Sequence, residues 1–208
     1  MLPTRALLTT AVAALTLAAC TSPNPDSSAS ATPSSTTTSA THSAPTAPAP
    51  SPTPTTDTQD VTTPPARPEA LDGPASEENA KAVGRYYLSM FPYAVATGDL
   101  AAMDDLSAEG CRYCTHLRGI VTEIHDAGNH GTGGAYELGF TSGIRNDDGD
   151  FIVGIEYVET PSRTVAPDGS LVEDFPDTYS MKAVLRLHWS GSAWTVEAGK
   201  ATEFDGKE

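Results

Sequence analysis

The chain has 208 residues and a formal net charge of −15, from 27 acidic side chains against 12 Lys and Arg. Without a basic surplus it has no patch with which to neutralise phosphates, which counts against nucleic acid or an anionic lipid surface as a partner. Most of the acids lie beyond residue 72, where they serve solubility.

The N-terminus reads as an export signal. Arg5 supplies a basic start and Ala6 to Leu17 an uncharged apolar stretch, shorter than the roughly 20 residues that cross a bilayer. The run Leu17-Ala18-Ala19-Cys20 resembles a bacterial lipobox. Such signals are cut before the cysteine, so residues 1–19 are expected to be a signal peptide and Cys20 the lipidated first residue of the mature chain. Two acyl chains such as palmitate, each CH₂ contributing ~0.8 kcal/mol when buried, hold a protein where one chain binds only marginally. No later segment is apolar enough to span a membrane. The expected location is the extracytoplasmic face of the cell membrane.

Residues 20–72 change in composition. Ser, Thr, Pro and Ala dominate, and from Thr21 to Pro68 Val61 is the one aliphatic residue larger than Ala. Such a segment buries too little apolar surface to offset the entropy of ordering it, and reads as a disordered tether. As a flexible chain it spans about 40 Å, enough to lift a domain off the lipid. His42 is a linker residue here, and the composition leaves open whether the stalk is glycosylated.

Residues 73–208 have the length of one ordinary domain. Ser76 followed by Glu77 and Glu78 predicts an N-cap with acids in the first turn. Val83, Tyr86, Tyr87, Met90, Phe91 and Ala94 then recur at helical spacing. Pro92 is expected to kink this helix or end it early. Gly98 stops it, and Asp99 caps a second short helix bearing Leu100, Met103 and Leu106. A third helix is expected after Cys114, with Leu117, Ile120, Val121 and Ile124 inward and Gly128 at its end.

Gly131 to Gly134 reads as a flexible connection, lacking the lysine and preceding strand of a phosphate cradle. Beyond it the period becomes two. Tyr136, Leu138 and Phe140 are placed on one face of a strand, and Phe151, Val153, Ile155 and Tyr157 on one face of the next. Met181, Ala183, Leu185, Leu187 and Trp189 alternate with Lys182, Arg186 and His188, and a last strand carries Trp194 and Val196. Asn146 to Asp150, Pro167-Asp168-Gly169 and Ser190-Gly191-Ser192 are turns. Asn146 to Asp150 also lacks the first oxygen ligand of a calcium loop, since Ile144 falls there. Helices followed by antiparallel strands give an α+β fold, with the helices packed on a curved sheet.

Tyr93-Ala94, Thr97-Gly98-Asp99, the second amphipathic helix and the terminal hairpin ending in Trp194 resemble the nuclear transport factor 2-like, or SnoaL-like, cone fold over about Ser76 to Phe204. With Cys111, Cys114, Tyr86-Tyr87, Pro64-Pro65 and the lipobox, the chain resembles an uncharacterised family of actinobacterial lipoproteins of unknown function. That resemblance carries no known catalytic residues. Relatives of the fold often dimerise, which makes a homodimer one expectation.

Cys111-Arg112-Tyr113-Cys114 is the one constellation with chemistry of its own. In an exported chain, with Cys20 lipidated, the remaining two cysteines are expected to pair, since one helical turn brings their Cα atoms to roughly 5 to 5.5 Å. So small a loop fixes a local turn. The alternatives are a redox-active pair, because a thiol at a helix N-terminus has a lowered pKa, and a metal site with His116 and His125, which needs thiols kept reduced. His116, His125 and His188 read as helix-surface, rim or strand-face residues.

No catalytic set, metal site or cofactor is read from the sequence. The leading expectation is a non-enzymatic module of the cell envelope that binds a small apolar ligand in the cone or docks an envelope or cell-wall protein. Tyr87, Phe91, Tyr136 and Trp189 are the candidate pocket residues. The alternatives are a cone-fold enzyme, with a carboxylate or histidine of shifted pKa in its cavity, and a thiol-disulfide protein with an exposed Cys111.

Overall fold

A computed structural model describes residues 60–204. The expected signal peptide, Cys20, His42 and most of the expected tether lie outside the described residues. The packed chain begins ahead of the boundary expected at Gly73. A 3-10 turn at Glu69–Asp72 lays Ala70 and Leu71 on the core, and the Trp194 indole N–H donates to the Ala70 carbonyl at 3.1 Å. A buried indole N–H needs such a partner, so this part of the expected tether is tied to the domain.

Helix α1 (Glu77–Thr97) starts as read: the Ser76 hydroxyl accepts from the Asn79 N–H at 3.1 Å. It does not end at Pro92 but continues through it to Thr97. Packing of Pro92 and Ala94, both buried, outweighs the hydrogen bond that proline removes. Gly98, at φ 77°, closes the helix with its N–H on the Ala94 carbonyl. Leu100, rather than the expected Asp99, is the cap residue of α2 (Ala101–Leu106); the Asp99 carboxylate, one residue before it, accepts from the Ala101 N–H at 3.0 Å. Helix α3 (Arg112–Asp126) begins ahead of Cys114 rather than after it, with Cys111 at its cap.

Two antiparallel sheets come after the helices rather than one. Strands β2 (Tyr136–Arg145), β3 (Phe151–Glu159), β6 (Tyr179–Trp189) and β7 (Trp194–Glu203) form the larger, in the order β2-β3-β6-β7. Strands β1 (His130–Gly133), β4 (Ser162–Val165) and β5 (Leu171–Phe175) form the smaller, in the order β1-β4-β5. The Gly131 to Gly134 segment is therefore largely a strand and not a flexible connection. Gly131 is buried directly beneath Val95 of α1, where a side chain would collide with it.

The helices cover the inward face of the large sheet, as the α+β reading requires. Val83, Tyr87 and Met90 of α1 meet Phe151, Val153 and Ile155 of β3, Ala183, Leu185 and Leu187 of β6, and Trp194 and Val196 of β7 in one core. Full burial of a large apolar side chain stabilises by roughly 1.5–3 kcal/mol, so these residues dominate the stability. Phe140 departs from expectation: it is 69% exposed. Between Leu138 and Thr141 the β2–β3 register slips, and Gly139 and Phe140 together oppose Glu156. This bulge reverses which residues face the helix.

Arg85 of α1 grips the bulge. Its guanidinium donates to the Gly139 carbonyl and the Thr141 hydroxyl, each at 2.8 Å, and to the Leu138 carbonyl at 3.3 Å. Replacing Arg85 with Ala leaves bulge carbonyls without that donor; hydrogen bonds to charged groups contribute about 1.5–3 kcal/mol net, and the exposure of this one puts it at the low end. The expected outcome is a loss of about 1–2 kcal/mol in urea unfolding of the full chain. An unchanged midpoint would mean that the bulge holds without Arg85.

Candidate functional site

A cavity of about 480 Å³ opens where the two sheets and two helices meet. Helix α1 contributes Phe91, Pro92 and Val95 from its last turns, and α3 contributes Ile120 and Ile124. The small sheet borders the opposite side with Val172 and Phe175 of β5, whose large side chains are exposed. Tyr136 and Glu159 sit at the base, facing each other in register at the start of β2 and the end of β3.

Short connections hold the two sheets at this point. The Thr160 N–H and hydroxyl both donate to the Ala135 carbonyl, at 3.1 and 3.2 Å, and the Gly134 N–H donates to the Pro161 carbonyl at 2.9 Å. The Tyr136 ring lies 4.6 Å from the Tyr157 ring and 6.2 Å from Phe91, centroid to centroid. Aromatic pairs at such spacings stabilise by about 0.5–1.5 kcal/mol beyond their burial. The floor is therefore a fixed aromatic surface.

Glu159 is the ionisable group of interest. Burial pushes its carboxyl above the usual carboxylate range, because desolvation disfavours the charged form. Burial, and secondly the Glu159 charge, push Tyr157 up to about 12. The same two causes raise Tyr136, in the same order, whereas Tyr113 is raised first by burial and then chiefly by Tyr157. These phenols stay protonated at neutral pH and can donate hydrogen bonds. Glu159 also borders a second cavity of about 310 Å³, lined by Phe175, Asp177, Tyr179, Met181 and Glu203 among others.

Of the four expected pocket residues, Phe91 and Tyr136 come together in the larger cavity. Tyr87 and Trp189 do not line it. Tyr87 is 0% exposed. The Ser107 hydroxyl donates to the Met103 carbonyl at 2.6 Å, so the Tyr87 hydroxyl donates to Ser107, at 3.2 Å. That bond ties Tyr87 into the α2 side of the core. Trp189 packs tilted against Trp194, 5.2 Å between centroids, at the hairpin end of β6, whereas the smaller cavity borders the beginning of that strand.

Sequence reasoning missed Glu159, although a signal was present. Phe151, Val153, Ile155 and Tyr157 alternate inward, and the next residue of that parity is Glu159. An acid that continues the apolar side of a strand is a buried charge to be explained.

The histidines play other parts. His125 Nε2 donates to the Val95 carbonyl at 3.0 Å, bracing α3 on α1. His188 Nδ1 lies 2.8 Å from Asp150 Oδ1, and His116 is exposed. None of the three lines the cavity, and among the described residues no three His, Cys, Asp or Glu converge as a metal site.

Cys111 and Cys114 form a disulfide with Cα atoms 5.3 Å apart, 0% and 5% exposed. The redox alternative needs an accessible sulfur, whereas both cysteines are buried.

The family of unknown function DUF6318 matches residues 47–200. No curated protein matches the sequence significantly. Among solved structures, the intermembrane space region of chloroplast protein ARC6 is similar at 14% identity and a TM-score of 0.48, covering 64% of this chain and 100% of its own. An uncharacterised protein with a cystatin-like fold from Caulobacter vibrioides shares 12% identity at a TM-score of 0.42, covering 62% and 92%. ActVI-ORFA from Streptomyces coelicolor shares 11% at a TM-score of 0.40, covering 62% and 96%.

Two outcomes test the site chemistry. Thiol labelling of the native chain in a mild reductant should leave Cys111 and Cys114 unmodified, with labelling only after denaturant; rapid native labelling would reinstate the redox alternative. The second concerns Glu159, whose folded-state pKa lies above its unfolded value. The folded chain then binds the proton more tightly, and this carboxyl's contribution to stability falls as pH rises from the unfolded value through the folded one. Glu159→Gln should therefore raise the melting temperature at neutral pH, and the gain should vanish below about pH 4. A gain of the same size at both pH values would contradict the buried-carboxylate account.

Proposed function

The chain belongs to DUF6318, a family of unknown function, and we propose that it is an extracytoplasmic lipoprotein whose domain binds a small, largely apolar ligand. The carrying observation is the cavity of about 480 Å³ between α1, α3 and the two sheets. Ligand sites fall in the range of about 300–1,000 Å³, with apolar walls and a few placed polar groups. Phe91, Val95, Ile120, Ile124, Val172 and Phe175 supply such walls, and Glu159 supplies a polar group at the base. Attachment through Cys20 rests on the lipobox resemblance, and binding a diffusible ligand near the membrane needs no further domain.

Native mass spectrometry of the full chain, followed by denaturation, tests the binding reading. A native mass exceeding the denatured mass by a small molecule is expected. Ile124→Trp should fill the space and abolish that excess while the melting temperature stays within a few degrees. Equal masses, together with failure to bind any apolar fluorescent probe, would sink the reading. Attachment is checked separately: palmitate labelling in cells should appear on the native chain and disappear in Cys20→Ser.

One observation favours a second reading, an acid/base enzyme acting on a hydrophobic substrate. Glu159 combines a raised pKa with a place in the cavity, which is what a general acid or base requires. The two readings separate at Glu159→Gln. A binding module keeps most of its affinity for an apolar ligand, whereas an enzyme keeps affinity and loses turnover.

A further inference from the structure

We propose that the cavity selects an organic cation, an ammonium or quaternary ammonium group carried on an apolar body. The inference rests on the binding reading above and adds the chemical class of the ligand. Glu123, Glu159 and Glu173 are among the residues that line the larger cavity. The one basic side chain there, Arg163, is engaged: its Nε donates to Asp174 Oδ1 at 3.0 Å. In the adjoining cavity Glu159, Asp177 and Glu203 are present without any Lys, Arg or His. An anionic or phosphorylated ligand would meet Glu123, Glu159 and Glu173 there against a single guanidinium that is already paired with Asp174.

The apolar part of the lining points the same way. Phe91, Tyr136 and Phe175 present aromatic rings in the larger cavity, and Phe175 and Tyr179 in the smaller. Ring faces attract cations, most strongly where water is excluded. Among the described residues no hydrogen bond or ion pair reaches the Glu159 carboxylate, and burial alone accounts for its perturbation. A half-buried carboxylate without a partner is unfavourable. A bound ammonium supplies that partner, and the net charge of −15 draws cations toward the site from a distance.

Three probes of one chain length test this by calorimetry on the full chain at physiological salt, below micelle formation: octyltrimethylammonium, octan-1-ol and octanoate. The cation should bind about tenfold tighter than the alcohol, and octanoate most weakly. Glu159→Gln should lower the cation-to-alcohol ratio by roughly threefold or more and leave alcohol binding almost unchanged. If the alcohol binds as well as the cation or better, the cation inference fails and the binding reading stands. If no probe binds, both fall. If the cation preference survives in Glu159→Gln and also in Glu123→Gln with Glu173→Gln, it reflects general attraction to an acidic surface, and the inference is overturned.

Discussion

The architecture of this domain depends on how closely α1 can lie on the large sheet. Two glycines set that approach. A side chain at Gly84 would stand 3.1 Å from the Val153 side chain, and one at Gly143 would stand 2.9 Å from Lys81. Gly143 faces the helix only because the bulge at Gly139 and Phe140 reverses the parity of β2; without it Phe140 and Ile144 would point at α1. Arg85 reaches from the helix to the bulge carbonyls, so the element that needs the irregularity also stabilises it. Sheet irregularities of this kind redirect side chains near functional sites.

The same geometry explains where the cavity lies. The N-terminal turns of α1 sit tightly on β2, whereas its last turns extend past the large sheet to meet β1, where Gly131 lies beneath Val95. The small sheet is tied to the large one at Ala135, Thr160 and Pro161, and the space between that tie and α3 stays open. Glu159 occupies this junction at a cost in stability. Folding alone gives no reason to leave a carboxylate there beside three tyrosines, since a glutamine or leucine would fit the inward face of β3 at lower cost.

Much of this could be read in the residues. Ser76 with Glu77 and Glu78, Gly98 with Asp99, and the alternation on β3 and β6 mark elements because caps and periodicity are local signals. The misses are non-local. Pro92 reads as a stop until the packing of Ala94 and the Gly98 cap is considered. Phe140 reads as core because a bulge is a relation between two strands. Gly131 to Gly134 reads as loose chain because its order comes from α1 and β4 rather than from its own side chains. For the site, aromatic content alone pointed to Phe91 and Tyr136 but equally to Tyr87 and Trp189, whose burial depends on their neighbours in space. Glu159 was legible as a parity violation.

The stretch ahead of α1 gives the domain a mechanical order. Asp60, Val61, Thr63 and Pro65 lie against Pro92, Tyr93, Ala135 and Tyr136, and farther along Ala70 is latched by Trp194. Load entering from the N-terminal side of Asp60 would meet the first group before the second. Peeling residues 60–65 uncovers the outer side of Pro92 and Tyr136, both of which line the cavity on their other side. The cavity wall would thus loosen while the Trp194 latch and the core behind it still held.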